Sequence, residues 1–436
     1  MEKYSTALVL GYGRSGRAAE RLLIAEGTTV IVLTEEISGM PEVYAVLEEN
    51  VFDICIVSPG FSFSHPWILA VRERDIPLLS EVELGWSRFG GKTIAVTGSN
   101  GKSTAVKWIY EMLQHANVTA AIGGNYGIPA CEVVIDHANL EWLVLEVSSF
   151  QLETVQNFHV EIAVLLNVLP NHLDRHETME IYRRTKMRIF GSSSFSGGVC
   201  LVPVELLEKV KEGMGSTERD WISFGADPKA DFFFRDGQVF KGSDPVLDLT
   251  GTRFDSPVLG ACTGAAVAAV AHACGVSYTA AITTARHFDP LPHRLQRLGT
   301  LKGVTYVNDS KATNFSAMAV GLECCGQSIH LIAGGLPKES NYNFIKEILA
   351  ERVRRIYLIG QVSRVMYQAW NEVCSCVECG TLEVAFSTAQ SVAQSGETIL
   401  LSPGCASFDQ FRSFEERGER FRALFLAAVQ SGGDTE

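Results

Sequence analysis

Residues 97–104 read Thr-Gly-Ser-Asn-Gly-Lys-Ser-Thr, between an apolar run at 93–97 and a helix-forming stretch at 105–113. A glycine turn between a strand and a helix presents backbone N–H groups and a helix N-terminus to phosphate oxygens. Lys102 would reach the β- and γ-phosphates of a nucleotide, and the Ser103 hydroxyl would ligate Mg²⁺. Gly98, Asn100, Gly101 and Thr104 complete the loop. The strict pattern places glycine five residues before Gly101, where this chain has Val96. A Ser- or Thr-capped glycine turn is the plainer reading of the same residues.

Three further side chains fall just after, or downstream of, apolar runs. Glu146 closes the run 142–147. A buried carboxylate needs a partner, and a Mg²⁺ shared with Ser103, a salt bridge or a helix cap would each serve. His172 follows the run 162–167 in a loop, where it could hold a second metal or a phosphate, or be structural. Lys186, in the polar stretch Tyr182-Arg183-Arg184-Thr185-Lys186, reads on its own as a solvated surface lysine.

The elements that must position these residues alternate as apolar strand, glycine-rich turn and helix along the whole chain. Strands are expected at 7–10, 30–33, 54–58, 93–97, 142–147, 162–167, 305–307, 329–333, 356–359 and 398–401. Such alternation predicts an α/β fold with parallel sheets and helices on both faces. In open sheets of this kind ligands bind beyond the C-terminal ends of the strands. The 436 residues suggest three domains at roughly 100–200 residues each. The loop 85–91 and the stretch Phe288-Asp289-Pro290-Leu291-Pro292 place them at 1–87, 88–290 and 291–436. Gly11-Tyr12-Gly13-Arg14-Ser15-Gly16 fits G-x-G-x-x-G, with Glu35 near the expected acidic position. That fingerprint suits a dinucleotide in an oxidoreductase or the pyrophosphate of a UDP-sugar.

The net charge of −13 argues against nucleic-acid partners and anionic membrane surfaces. The N-terminal apolar run is too short to span a bilayer and lacks a cleavage site, so the expected compartment is the cytoplasm. Eleven scattered cysteines read as reduced thiols, with Cys374, Cys376 and Cys379 the one cluster. The expected assembly is a monomer.

Taken in order and spacing, the phosphate loop, Glu146-Val147-Ser148-Ser149-Phe150-Gln151-Leu152 and His172-Leu173-Asp174-Arg175 resemble the Mur ligase family. Gly123-Gly124-Asn125-Tyr126-Gly127, Leu291-Pro292-His293-Arg294, the segment 308–314 and the segment 401–411 look like those members that add D-glutamate. The resemblance covers the whole chain. It implies a Rossmann-like N-terminal domain, a central P-loop ATPase-like domain and a Rossmann-like C-terminal domain. It also implies an ATP-dependent ligase that uses two Mg²⁺ ions to join D-glutamate to UDP-N-acetylmuramoyl-L-alanine.

Roles follow residue by residue as implications of the resemblance. Lys102, Ser103 and Glu146 would hold ATP and Mg²⁺. Lys186, as a carbamate, and His172 would hold the second ion. Arg14, Ser15, Thr34, Asn125, Ser148 and His172 would meet the UDP substrate. His293, Arg294 and Asp309 would contact ATP, and Lys311, Thr313, Lys338, Ser407, Phe408 and Phe414 would surround D-glutamate. Two departures stand out. Cys262, Thr263 and Ala266 occupy the adenine-side motif where the family carries His-Asn and a further Asn, and Asn171 stands where it has Asp.

Overall fold

The computed structural model describes residues 3–36, 38–137, 139–191, 197–215 and 219–432. Two compact units emerge, Met1–Val168 with Arg175–Phe288 and Leu169–Asp174 with Asp289–Glu436.

The first unit holds two sheets. In the smaller one, Thr29–Leu33, Thr6–Leu10, Ile54–Val57 and Leu78–Ser80 lie side by side in that order, all parallel. Ala7 through Leu10 are fully buried, as a parallel strand covered on both faces requires. The turn after this strand needs its glycines. Gly11 has φ +87°, and a Cβ on Gly16 would sit 2.0 Å from the Gly11 carbonyl oxygen. The helix Arg14–Ala25 therefore starts hard against the strand end.

The larger sheet has nine strands in the order Asp244–Asp248, Gln238–Lys241, Phe232–Arg235, Asp220–Gly225, Val199–Pro203, Ile162–Leu165, Lys92–Thr97, Trp142–Glu146, Ala120–Gly124. All pairings are parallel except the two at the Asp244–Asp248 edge. The helices Lys102–His115 and Ala265–Cys274 pack on one face, where the Trp108 ring stacks on Phe254 at 4.0 Å and its indole N–H donates to the Ala281 carbonyl at 3.0 Å. Short alanine side chains let the second of these helices lie close to the sheet, and its residues 265–271 are all buried. The stretch Pro257–Cys274 is long and apolar enough to cross a membrane, and most of it lies inside this core.

The second unit is a six-stranded sheet in the order Gln296–Leu301, Val304–Asn308, Thr398–Leu401, Ile329–Gly334, Val353–Ile359, Cys376–Gly380, with only the first pair antiparallel. The expected α/β architecture with parallel sheets is present, and antiparallel strands extend one edge of the nine-stranded and of the six-stranded sheet. Edge strands need not be buried on both faces, so they lack the continuous apolar runs from which the other strands are read.

Candidate active site

The strand Lys92–Thr97 lies between Ile162–Leu165 and Trp142–Glu146, so three strand ends converge on the loop that follows it. Gly101 caps the helix Lys102–His115 with φ +84°, a left-handed conformation that favours glycine. Lys102 folds back over the loop, and its Nζ donates to the carbonyls of Gly98 at 2.8 Å and Ser99 at 3.1 Å. The Ser103 hydroxyl donates to Glu146 Oε2 at 2.5 Å, while Asn125 Nδ2 donates to Oε1 of the same carboxylate, also at 2.5 Å. Glu146 is thus a buried strand-end carboxylate held between two neutral donors.

Lys186 corrects its surface reading. The helix Met179–Met187, capped by the Thr178 hydroxyl, turns this side chain inward until it is 1% exposed. Its Nζ donates to the Gly98 carbonyl at 2.9 Å and lies 4.6 Å from the Tyr182 ring centroid. Tyr182 in turn shares a 3.1 Å hydrogen bond with Ser99 Oγ. Two amines, Lys102 and Lys186, therefore meet at one loop carbonyl. Burial holds the Lys186 ammonium well below the usual lysine range, and Lys102 adds repulsion that Glu146 only partly offsets. Burial and the Lys102 charge thus both favour the neutral amine of Lys186 relative to a solvated lysine.

Asn125 follows Gly124, whose φ is +95° and whose missing Cβ would meet the Glu146 carbonyl oxygen at 2.4 Å. Arg14 reaches the same turn, with Nη2 donating to the Gly127 carbonyl at 2.7 Å. Ser15 lies in the first turn of the helix Arg14–Ala25. Thr34 follows the neighbouring strand, and its carbonyl accepts from the Ser38 N–H at 3.0 Å. Ser148 caps the helix Ser149–Leu152 in a reciprocal box with Gln151. Arg14, Asn125, Glu146 and the phosphate loop are brought together; the Ser148 hydroxyl is engaged locally.

Several residues near this centre had no assigned role. Asn167 ends the neighbouring strand run, and its carboxamide contacts Ser99, Asn100 and Cys262. Arg175 pairs with Glu153 at 2.6 Å, stacks over Phe150 and donates to the carbonyls of Pro59 and Phe61. His176 is buried against Ser149 at 3.0 Å. Their positions after strands were visible in the sequence, but their partners lie far along the chain. The segment around Cys262 forms a π-turn, Gly260–Gly264, with Thr263 and Ala266 buried. Such turns are frequent at functional sites.

In the second unit, His293 is buried with φ +62°, and its Nδ1 accepts from Asn308 Nδ2 at 3.1 Å. Burial lowers its pKa from the ordinary value, opposed by Glu419 and Glu415. Asp309 accepts from Ser402 Oγ at 2.8 Å and from the Leu295 N–H at 3.1 Å. The Lys311 N–H donates to the His293 carbonyl at 3.0 Å, and its ammonium sits 3.6 Å from the Phe414 ring centroid. A paired bridge between Leu336 and Ala406 sets the Lys338 and Ser407 segments side by side. Ser407 is buried, whereas Phe408 is 67% exposed and Lys338 is exposed. Thr313 and Arg294 are half-buried. His172, half-buried with φ +56°, lies in the segment Leu169–Asp174. Arg417, unforeseen, is buried on the carbonyls of Ser310 and Cys405. Burial brings its pKa down to about 10.

The Cys374 and Cys376 thiols donate to the carbonyls of Val353 and Cys374. Among the described residues no group of three His, Cys, Asp or Glu side chains is arranged to hold a metal. Any Mg²⁺ here would depend on few protein oxygens, which is its habit beside phosphates.

Residues 96–273 match the Mur ligase middle domain. A UDP-N-acetylmuramoylalanine–D-glutamate ligase from Acidobacterium capsulatum is 34% identical, over 98% of this chain and 97% of its own. One from Koribacter versatilis is 35% identical, over 96% of each chain. Among solved structures, a MurF ligase from Thermotoga maritima in complex with ADP aligns at TM-score 0.61 and 16% identity, over 91% of this chain and 94% of that one. A UDP-N-acetylmuramate–alanine ligase from the same organism aligns at 0.59 and 15% identity, over 98% and 100%. Its motifs, its fold and the full-length identity to these relatives together make this chain a member of the Mur ligase family.

Proposed function

We propose that this chain is an ATP-dependent ligase that joins D-glutamate to UDP-N-acetylmuramoyl-L-alanine, in the cytoplasm and as a monomer. The observation that carries the reading is the meeting of Lys102, Ser103, Glu146 and Lys186 at one phosphate loop. A dinucleotide oxidoreductase has no use for this second phosphate-binding centre. Residues 1–87 would bind the UDP moiety through Arg14, Ser15 and Thr34, residues 88–290 ATP, and residues 291–436 D-glutamate through Lys311, Thr313, Lys338, Ser407, Phe408 and Phe414. Asn125, Ser148 and His172 would meet the UDP substrate from the central region. His293, Arg294 and Asp309 are assigned to ATP by the resemblance, as is His172 to a metal.

The donor set suits Mg²⁺: Glu146 Oε2 and Ser103 Oγ are hard oxygens 2.5 Å apart at the helix start. When bound, two such ions would neutralise phosphate charge and stabilise the charge that develops on transfer. A neutral Lys186 amine can attack CO₂, lose a proton and become a carbamate, replacing a cation by a carboxylate-like ligand. The loop amides, the helix N-terminus and Lys102 would hold the β- and γ-phosphates. An alanyl carboxylate oxygen then attacks the γ-phosphorus, ADP leaves, and an acyl phosphate forms. The D-glutamate amine attacks the acyl carbon, gives up a proton, and phosphate leaves as the amide forms. Holding the carboxylate and γ-phosphate in line supplies much of the rate.

The test is phosphate release with the UDP acceptor, ATP and D-glutamate, together with the mass of the product. Release dependent on all three, with the acceptor gaining one glutamyl residue, is expected. Release independent of D-glutamate would refute the assignment.

A further inference from the structure

The carboxamide of Asn167 is saturated. Its Oδ1 accepts the N–H groups of Ser99 at 2.9 Å and Asn100 at 3.0 Å. Its Nδ2 donates to the Asn100 carbonyl at 3.1 Å and to Cys262 Sγ at 3.4 Å. Two lone pairs and two N–H bonds are the whole capacity of an Asn side chain. An aspartate keeps the acceptor half only, and a leucine keeps neither.

Three of these bonds fix the first half of the phosphate loop, before its turn at Gly101. The fourth leaves the loop for the π-turn Gly260–Gly264, which carries Cys262. That turn also approaches the loop directly, since a Cβ on Gly101 would meet Thr263 Oγ1 at 3.9 Å. The Cys262 thiol lies 3.8 Å from the Leu166 carbonyl, next to Asn167 in the chain. Cys262 is thus built into the strand end that frames the phosphate loop.

We propose that Asn167 is a positioning residue that sets the phosphate loop and ties it, through Cys262, to the segment beside the base of the nucleotide. The proposal rests on the nucleotide-binding reading above and deepens it. Cys262 does not replace a base-reading side chain; it anchors the turn that forms the base side of the site. Neither residue touches the acceptor substrate or the amino acid in this scheme, so the effect of losing either should be specific to the nucleotide.

The test uses the full chain and measures ATP binding directly, ATP and UDP-acceptor KM, kcat, and thermal stability. The Cys262→Ala variant should bind ATP about fivefold more weakly, with kcat and acceptor KM within about twofold of native, because only the weak, neutral thiol contacts with Asn167 and the Leu166 carbonyl are lost. Cys262→Ser, which keeps an acceptor, should recover most of the loss. Asn167→Asp should weaken ATP binding about tenfold or more, and adding Cys262→Ala to it should cost less than Cys262→Ala costs in the native protein, since only the contact with the Leu166 carbonyl remains to lose. Should Asn167→Asp fail to fold, the Ala and Ser variants at 262 decide alone. Unchanged ATP binding in Cys262→Ala, equal shifts in every KM, or additive effects in the double variant would overturn the proposal. Native protein that binds no ATP would instead overturn the functional reading, with Lys102→Ala as the control for loop-dependent binding.

Discussion

Glu81 gives this fold a pH dependence of its own. It opens the helix Glu81–Arg88 and is 2% exposed. Its Oε1 accepts the Cys131 N–H at 2.7 Å, and its Oε2 is buried with no hydrogen-bond partner. Burial pushes the carboxyl up to about 7 from the ordinary 4.5, the Cys131 bonds oppose this, and the nearby Glu132 charge adds to it. A folded-state pKa above the unfolded one means the folded chain holds its proton more tightly. The associated stability is present in full below the unfolded pKa near 4.5 and is lost as pH rises through about 7. At about 1.4 kcal/mol per pH unit, that displacement corresponds to roughly 3 kcal/mol.

Glu81→Gln keeps the acceptor for Cys131 and cannot ionise. The difference between variant and native isolates this one group from all others that titrate. Thermal melts at pH 5, 7 and 8.5 should show the variant gaining on the native protein as pH rises. At pH 8.5 the displacement of roughly 3 kcal/mol should raise the variant's melting point relative to the native protein's by about 6–12 °C, since roughly 1 kcal/mol moves a melting point by about 2–4 °C in units of this order of size. Parallel melting curves across the range would refute the buried, partly unpaired carboxyl as the source.

Lys186→Ala should be nearly inactive, with chloride or acetate restoring part of the rate if a carbamate oxygen is what is missing; full activity would refute that role. Lys338→Ala and Ser407→Ala should raise the D-glutamate KM about tenfold or more, at about 1.5–3 kcal/mol per lost bond to a charged group. A shift in ATP KM instead would place these residues with the nucleotide. Discrimination among purine nucleotides should be poor, because Cys262 and Ala266 offer little to adenine and Thr263 is buried. Relative kcat/KM for ATP, GTP and ITP measures this, and a preference for ATP above about a thousandfold would show that other groups read the base.

The phosphate loop and Glu146 were legible because local signals suffice for them: Gly-Lys-Ser between a strand and a helix, and a carboxylate closing an apolar run. Lys186 was not legible as a buried residue. Its helix mixes Met179, Ile181, Tyr182 and Met187 with charged residues and shows no clean apolar stripe, and Lys186 is turned inward onto the carbonyl of Gly98, 88 residues earlier. Asn167 was hidden for the same reason, since its partners are mostly backbone groups 67 and 68 residues away. The antiparallel edges carried a signal that the strand reading passed over. Asp236-Gly237 and Lys302-Gly303 both have paired positive φ values, +49° and +79°, +51° and +74°. That is the two-residue hairpin turn, and Asp-Gly is among its strongest sequence marks. Arg417 offered no signal, because its partners are the carbonyls of separate loops.

The central claim is the amino acid. An amino-acid panel in the presence of ATP, Mg²⁺ and UDP-N-acetylmuramoyl-L-alanine, read as phosphate release and product mass, addresses it most directly. The account predicts release with D-glutamate far above that with L-glutamate, L-lysine, diaminopimelate or L-alanine, and a product heavier by one glutamyl residue. Greater release with any of the others, or release with D-glutamate and no amide product, would contradict it.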